Sequence, residues 1–453
     1  MTLDAATCYR ALRARDARFD GRFFVAVSST RIYCRPICTV KPPRPEHCRF
    51  YPSAAAAEVA GFRPCLRCRP ELAPGNASVD ATTRVAQAAA SLIEDRTLEA
   101  EGLAAIAGRL GITDRHLRRA FSAEFGVSPI EFAQTQRLLL AKRLLTDTGL
   151  PVTEIAFASG FGSVRRFNAL FKQRYRLQPA QLRRRLNGEA VHIGDVLNFE
   201  LSFRPPYDWP AVSAFLGARA IAGVEMFEGT CYRRTARIAS AGQDYFGWIE
   251  VGLSANKPAL RVAVSASLAL VLPPVLSRVK ALMDLSCNPA EVAAALGRLA
   301  SRRPGLRVPG AFDGFEVAVR AILGQQVAVA AARTLAGRFA AALGDPIETP
   351  FAALTIVFPT AARVADGDLM LLPNADLDAT LERLRALQGV GEWTAQYIAM
   401  RALAWPDAYP HTDLGVMRAL GERDARRVLE AGEAWRPWRA YAVMHLWNAM
   451  TQE

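Results

Sequence analysis

The sequence has little that would take it out of an aqueous, reducing compartment. Behind "MTLDAATCYRALRARD" there is no apolar core of the kind an export signal carries, so no signal peptide is expected. The most apolar run, "LRVAVSASLALVLPPVL", opens on Arg261 and is broken by Pro273 and Pro274. It makes a poor membrane span, and its Val262/Val264 alternation reads better as a strand. Eight cysteines in 453 residues are too few for a disulfide framework, so metal-binding or catalytic thiols in the cytoplasm are the expectation. Acidic residues are also in deficit, 43 against 56 Lys and Arg, which leaves a formal charge of +13. A polyanion follows as partner, with double-stranded nucleic acid first, although charge alone does not say where it binds.

What is present describes a globular chain, 51% hydrophobic and 22% charged, long enough for about three ordinary domains. Four sections separate by composition. Residues 1–75 hold six of the eight cysteines and run into the Pro/Gly/Asn-rich "RPELAPGNAS". Residues 80–187 are Arg-rich with helical periodicity. From about 191 to 270 come short strand-like runs, "VLNFELSF", "CYRRTARIA", "YFGWIEVGL" and "ALRVAVSA", around one helical stretch, "WPAVSAFLGARA". The remainder reads as almost wholly helical.

The first section places Cys34 and Cys38 in "IYCRPIC" and Cys65 and Cys68 in "FRPCLRCRP". Each close pair can bite one metal from one loop, which suits a single tetrahedral four-thiolate zinc. A purely structural zinc module and a disulfide pair are the alternatives that spacing leaves open. "FDGRFFVAVSSTRIYCRPIC" with "RFYPSAAAAEVAGFRPCLRCRP" resembles the N-terminal zinc domain of the Ada alkylation-response family. The resemblance implies that Cys34 is both a zinc ligand and the acceptor of a methyl group from a DNA methylphosphotriester, with Cys38, Cys65 and Cys68 completing the site. Arg31, Arg35, Arg44, Arg49, Arg63, Arg67 and Arg69 are then candidate phosphate contacts; a solvated basic face is the plainer reading of any one of them.

The second section repeats itself. "AAIAGRLGITDRHLRRAFSAEFGVSP" and "TEIAFASGFGSVRRFNALFKQRYRLQP" align Ile106 with Ile155, Gly111 with Gly160, Phe121 with Phe171 and Pro129 with Pro179, as two helix–turn–helix units would. The repeat resembles the DNA-binding domain of AraC-type regulators. Recognition helices are expected near 114–124 and 164–175, with Arg115, His116, Arg118, Arg165, Arg166 and Asn168 facing DNA. Leu117, Phe121, Phe167 and Phe171 read as core at helical spacing.

The C-terminal half carries "LQGVGEWTAQYIAMRAL", a helix, a Gly-Val-Gly hairpin and a second helix, preceded by "FEVAVRAILGQQVAVAAA" and followed by "PHTDLGVMR". Alone, G-x-G is a weak signal. Together these stretches resemble the AlkA-type 3-methyladenine DNA glycosylases of the helix–hairpin–helix superfamily. The resemblance implies that Gly389, Val390 and Gly391 hold a backbone phosphate with a monovalent cation, and that Gln326 fills the gap left by a flipped base. It further implies that Trp393, Tyr397, Trp447 and Phe215 form the base pocket, each of which reads otherwise as an ordinary core aromatic, and that Asp413 is catalytic. Trp393 stands where lyase members carry a lysine, which implies a monofunctional enzyme. Asp407 precedes the expected helix and is not the catalytic carboxylate. The connection over about 358–388 is shorter than in AlkA, which leaves a second reading: a transcriptional regulator whose glycosylase half only binds DNA.

The expected fold is therefore multidomain α+β. Residues 1–77 form a small zinc-binding α/β domain, 78–188 an all-α double helix–turn–helix domain, 190–277 a small antiparallel β-sheet with a helix, and 278–453 an all-α helix–hairpin–helix glycosylase domain. RNA polymerase is an expected further partner, a membrane is not, and the chain is expected to be a monomer.

Overall fold

The computed structural model describes residues 4–75, 81–94, 97–186, 195–240, 242–364, 371 and 377–450. The chain forms two compact units. One comprises Met1–Arg204 with Ser240–Gln243 and Asn256–Ser277, the other Pro205–Ala239 with Asp244–Ala255 and Arg278–Glu453. The stretch 190–277, read from the sequence as one small domain, is thus divided between them.

In the first unit the cysteine-rich section folds around a four-stranded sheet, Cys48–Tyr51, Phe24–Val27, Ile32–Cys34 and Arg63–Pro64 in spatial order. Alternation along "FFVA" sends successive side chains to opposite faces. Phe23 and Val25 pack with Cys8, Ala11 and Leu12 of the helix Ala5–Ala14, whereas Phe24 and Ala26 pack with Tyr33, Phe62 and Leu139. Leu139 belongs to the long helix Pro129–Asp147, started by a capping box between Ser128 and Glu131. Each phenylalanine, valine or leucine among them contributes about 1.5–3 kcal/mol when fully buried.

The two expected recognition helices form as Asp114–Phe125 and Val164–Tyr175. Thr113 and Ser163 cap them, accepting from the amides of His116 and Arg166 at 3.2 Å. Gly126 ends the first at φ +72°, a left-handed turn that glycine adopts without strain. Leu117, Phe121, Phe167 and Phe171 are fully buried, as their spacing predicts. In the same unit Val196–Ser202 pairs antiparallel with Ala259–Ser265.

In the second unit Glu225–Glu228 pairs antiparallel with Cys231–Ser240, and Ile221, Val224, Ala336, Ala340 and Phe358 form a core cluster. A buried ionic network underlies it. Glu316 binds Arg234 and Arg320 at 2.6 Å each, and Arg320 also reaches Glu225. The short strand pair Asp345–Pro346 and Ile356–Val357 interrupts a region expected to be helical. Two-residue strands carry no period of their own, so only tertiary pairing creates them. Helices Leu377–Ala386 and Glu392–Arg401 flank the hairpin, and Leu414–Leu420 and Arg439–Met450 complete the surroundings of the site. Within the shortened connection, residues 365–370 and 372–376 lie outside the described residues. Among the described residues no helix is long and apolar enough to cross a membrane.

Candidate functional site

Strand pairing brings the cysteines together. Cys34 ends the strand Ile32–Cys34, whose parallel neighbour Arg63–Pro64 leads into Cys65. The Cys65 amide donates to the Tyr33 carbonyl at 3.0 Å. The sulfurs of Cys34, Cys38, Cys65 and Cys68 all lie within 4.8 Å of one another. A tetrahedral thiolate site with bonds near 2.3 Å spaces its sulfurs about 3.8 Å apart, so the set fits zinc. The Arg35 amide donates to the Cys68 sulfur at 3.3 Å, the kind of support a thiolate takes. Hydrogen bonding with Cys34 draws the Cys38 thiol down, while hydrogen bonding to Cys38 and burial push Cys34 up. A bound divalent cation replaces the protons these sulfurs share. The four-sulfur donor set and its spacing suit one tetrahedral zinc ion.

Two of the arginines expected to face DNA do not. Arg35 is buried, with Nε donating to Asp20 at 2.8 Å and its guanidinium also donating to the Cys68 carbonyl at 3.2 Å. Arg69 is held between Glu71 at 3.1 Å and Asp147 at 2.6 Å. Both are structural cations, since a guanidinium committed to buried carboxylates has few donors left for phosphate. Arg31, Arg44, Arg49 and Arg67 are exposed and Arg63 is half-buried. On the recognition helices Arg115, Arg118, Arg165 and Arg166 are exposed, and His116 and Asn168 are half-buried. Arg118 pairs with Asp114 at 3.0 Å, one helical turn before it.

In the second unit Asp413 caps the helix Leu414–Leu420. Its Oδ1 accepts from the Val416 amide at 2.9 Å and from the Trp447 indole at 2.8 Å, and its Oδ2 accepts from the Trp393 indole at 2.7 Å. Three donors from three elements fix the carboxylate while leaving it half-buried. Of the four expected aromatics, Trp393 and Trp447 touch it, and Tyr397 and Phe215 pack against those two rings. Trp393 stacks on Tyr397 at 5.2 Å, Tyr397 lies 6.3 Å from Trp447, and Trp447 stacks on Phe215 at 6.4 Å.

Sequence reading did not anticipate the arginines inside this cleft. Arg219 lies 3.9 Å and Arg401 4.8 Å from the Phe215 ring centroid, and Arg401 donates to the Tyr397 hydroxyl at 2.9 Å. Each stands four residues after its aromatic partner, so helical spacing carried the signal. Burial alone pushes the Tyr397 phenol up, but the guanidiniums of Arg401, Arg219 and Arg320 more than offset it and hold the phenol below its usual value.

The loop before Asp413 is tightly held. Asp407 receives Arg439 at 2.7 Å and Arg436 at 2.6 Å, which commits its carboxylate to ion pairs. The Tyr409 amide donates to Gln396 Oε1 at 3.0 Å. Gly432 allows this packing, since a Cβ there would stand 2.4 Å from the Tyr409 ring.

The hairpin is open to a ligand. Gly389 has φ +85°, with no heavy atom within 4 Å of where its Cβ would stand, and Gly391 precedes the helix Glu392–Arg401 without a side-chain cap. Val390 is buried and anchors the turn. Gln326 is exposed, at φ +57°. Its neighbour Gln325, not singled out from the sequence, donates to the Gly389 carbonyl at 2.8 Å and to the Thr394 hydroxyl at 2.7 Å, tying the Gln326 loop to the hairpin.

Family models match successive stretches of the chain: the metal binding domain of Ada over residues 7–71, a helix-turn-helix domain over 106–185, and the AlkA N-terminal domain over 198–313. That succession defines the class, a multidomain protein that joins a regulatory front half to a DNA-repair back half. The "Probable bifunctional transcriptional activator/DNA repair enzyme AlkA" of Mycobacterium tuberculosis is 37% identical over 99% of this chain and 97% of its own length. The chain belongs to that family of bifunctional AlkA proteins. Its halves also match separately. The DNA-3-methyladenine glycosylase 2 of Escherichia coli is 34% identical, covering 55% of this chain and 96% of that protein. The bifunctional transcriptional activator/DNA repair enzyme Ada of Escherichia coli is 34% identical, covering 34% of this chain and 44% of that protein.

Proposed function

We propose that the second unit is a monofunctional DNA glycosylase that hydrolyses the N-glycosidic bond of N-alkylated purines such as 3-methyladenine. The first unit accepts a methyl group from a DNA methylphosphotriester on Cys34 and binds DNA through its two recognition helices. The observation that carries the enzymatic reading is the Asp413 carboxylate, held by two indole N–H groups and a helix amide inside an aromatic cleft.

A base can be cut only after it leaves the stack. Trp393 and Trp447 attract an alkylated, cationic purine, and Gln326 fills the space it vacates. As the C1′–N bond breaks, its electron pair leaves with the base and positive charge grows on the sugar. Asp413 stabilises that charge without reorganising, because its donors already fix it. Water then adds to C1′ and loses its proton toward the carboxylate. Amides at Gly389, Val390 and Gly391 hold a backbone phosphate, with a monovalent cation as the charge bridge.

Zinc, when bound, keeps Cys34, Cys38, Cys65 and Cys68 as thiolates at neutral pH. The Cys34 sulfur attacks the methyl carbon; an S–C bond forms, the C–O bond breaks, and the phosphodiester anion leaves with the electron pair. One thiolate has become a neutral thioether, so the centre repels neighbouring phosphates less and DNA binding tightens. At a promoter in the cytoplasm, RNA polymerase is the expected partner.

Release of free 3-methyladenine from methylated duplex DNA by the purified full chain tests the enzymatic reading. DNA binding without release leaves a regulator whose second unit only grips DNA. Mass spectrometry after incubation with a methylphosphotriester oligonucleotide tests the acceptor, with one added methyl on Cys34 expected; no added methyl makes the four thiols structural only.

A further inference from the structure

We propose that Glu58 couples the strand carrying Cys34 to the second recognition helix, acting as a positioning residue for methylation-dependent DNA binding. The inference rests on reading Cys34 as the methyl acceptor.

Glu58 lies on the short helix Ala54–Val59, whose other core residues are alanines, and it is 2% exposed. A core of alanine, phenylalanine and tyrosine needs no carboxylate for cohesion, and burying one is costly unless its oxygens are matched by donors. The donors come from three separate elements. Tyr33, on the strand Ile32–Cys34, donates to Glu58 Oε1 at 3.0 Å. Tyr175, the last residue of the helix Val164–Tyr175, donates to the same oxygen at 3.2 Å. Thr135, on the helix Pro129–Asp147, donates to Oε2 at 3.4 Å. The Arg174 guanidinium donates to the Glu58 backbone carbonyl at 3.1 Å.

Tyr33 connects this carboxylate to the metal centre. It directly precedes Cys34, and its carbonyl accepts from the Cys65 amide at 3.0 Å. Along the strand, Tyr33 and Cys34 project to opposite faces. Cys34 is 6% exposed, so its sulfur has little free space in which to gain a methyl group. A close-packed interior answers added volume by shifting its neighbours. The strand is held on both sides, by antiparallel pairing with Phe24–Val27 and parallel pairing with Arg63–Pro64. Displacement at Cys34 therefore tilts the strand against Glu58 through the Tyr33 phenol. Because one oxygen takes both phenols, a change at Tyr33 alters the acceptor seen by Tyr175. Tyr175 sits at the end of the helix that carries Arg165, Arg166 and Asn168, and its position sets how those side chains meet DNA.

The test measures DNA affinity before and after methylation of the full chain by a methylphosphotriester oligonucleotide. The probe is the tightest duplex selected from a random pool against the methylated protein. For Tyr175→Phe and Tyr33→Phe, which keep their rings in place, the methylated-to-unmethylated affinity ratio is expected to fall about tenfold, the worth of one hydrogen bond. Unmethylated affinity and zinc content stay at wild-type values. The double variant loses no more than either single one, because both act through one oxygen. Glu58→Gln, which keeps a carbonyl oxygen, retains most of the ratio that Glu58→Leu loses. A full ratio in Tyr175→Phe overturns the coupling, as does an equal loss of affinity in both states. If the wild-type protein takes no methyl on Cys34, or shows no gain on methylation, the acceptor reading fails and the coupling with it.

Discussion

Replacing Asp413 by asparagine separates catalysis from architecture. Asparagine caps a helix as well as aspartate does, so the start of Leu414–Leu420 survives. The carboxamide oxygen can keep the position of Oδ1 and both donors there, Val416 and Trp447. Its NH₂ group must then face the Trp393 indole N–H, which now donates to Oδ2 at 2.7 Å. Two donors are opposed where a charge-assisted hydrogen bond stood, a loss of about 1.5–3 kcal/mol. For a unit of this size, at about 2–4 °C per kcal/mol, that corresponds to a fall in melting temperature of about 3–12 °C. The variant also has no negative charge to meet the oxocarbenium-like sugar, so base release falls by at least about a hundredfold while DNA binding persists. Adding Trp393→Phe removes the opposed donor and returns part of the stability without returning activity. The assays are thermal denaturation and chromatographic measurement of 3-methyladenine freed from methylated DNA. Release at the wild-type rate by Asp413→Asn would refute the catalytic assignment, and an unchanged melting temperature would refute the reading of the three donors.

Burial pushes Glu58 up to about 7 against hydrogen bonds from Tyr33, Tyr175 and Thr135 and the charge of Arg174. A raised carboxyl contributes stability that is full below about 4.5 and lost as pH rises through about 7, here about 3 kcal/mol; Glu58→Gln should flatten that fall in denaturation curves taken across the range. Glu316 shows the opposite sign. Burial raises it, but Arg234 and Arg320 outweigh burial and draw it down to about 2, so its contribution is present above about 4.5 and lost as pH falls through about 2. Glu316→Ala leaves Arg234 and Arg320 with Glu225 as their one shared carboxylate among these pairs and should cost about 3–5 kcal/mol, read by urea denaturation. Gln325→Ala cuts the Gln326 loop loose from Gly389 and Thr394. The expected result is KM for duplex DNA raised about three- to tenfold with kcat nearly unchanged; a fall confined to kcat would contradict a positioning role. Zinc removal by a chelator, or Cys65→Ala, should unfold the cysteine-rich section, seen as lost protection of the strands Phe24–Val27 and Ile32–Cys34 in hydrogen exchange.

Local chemistry was written plainly in the sequence. The spacing of Cys34, Cys38, Cys65 and Cys68 announced one metal centre, because a loop of two or three residues brings both thiols to one ion. The repeat located both recognition helices to within a residue, since caps, apolar spacing and terminal turns act within a few positions along the chain. The hairpin glycines stood out for the same reason. Other features depended on partners far along the chain. Asp413 owes its orientation to indoles 20 and 34 residues away, and Glu58 finds its phenols 25 and 117 residues away. Arg35 and Arg69 read as DNA-facing cations until folding gave them to Asp20, Glu71 and Asp147. Composition and periodicity specify which elements form and which residue types they carry. Which donor meets which carboxylate, and which arginine stays free for phosphate, is decided only when distant elements pack, because burial and pairing are properties of the assembled core.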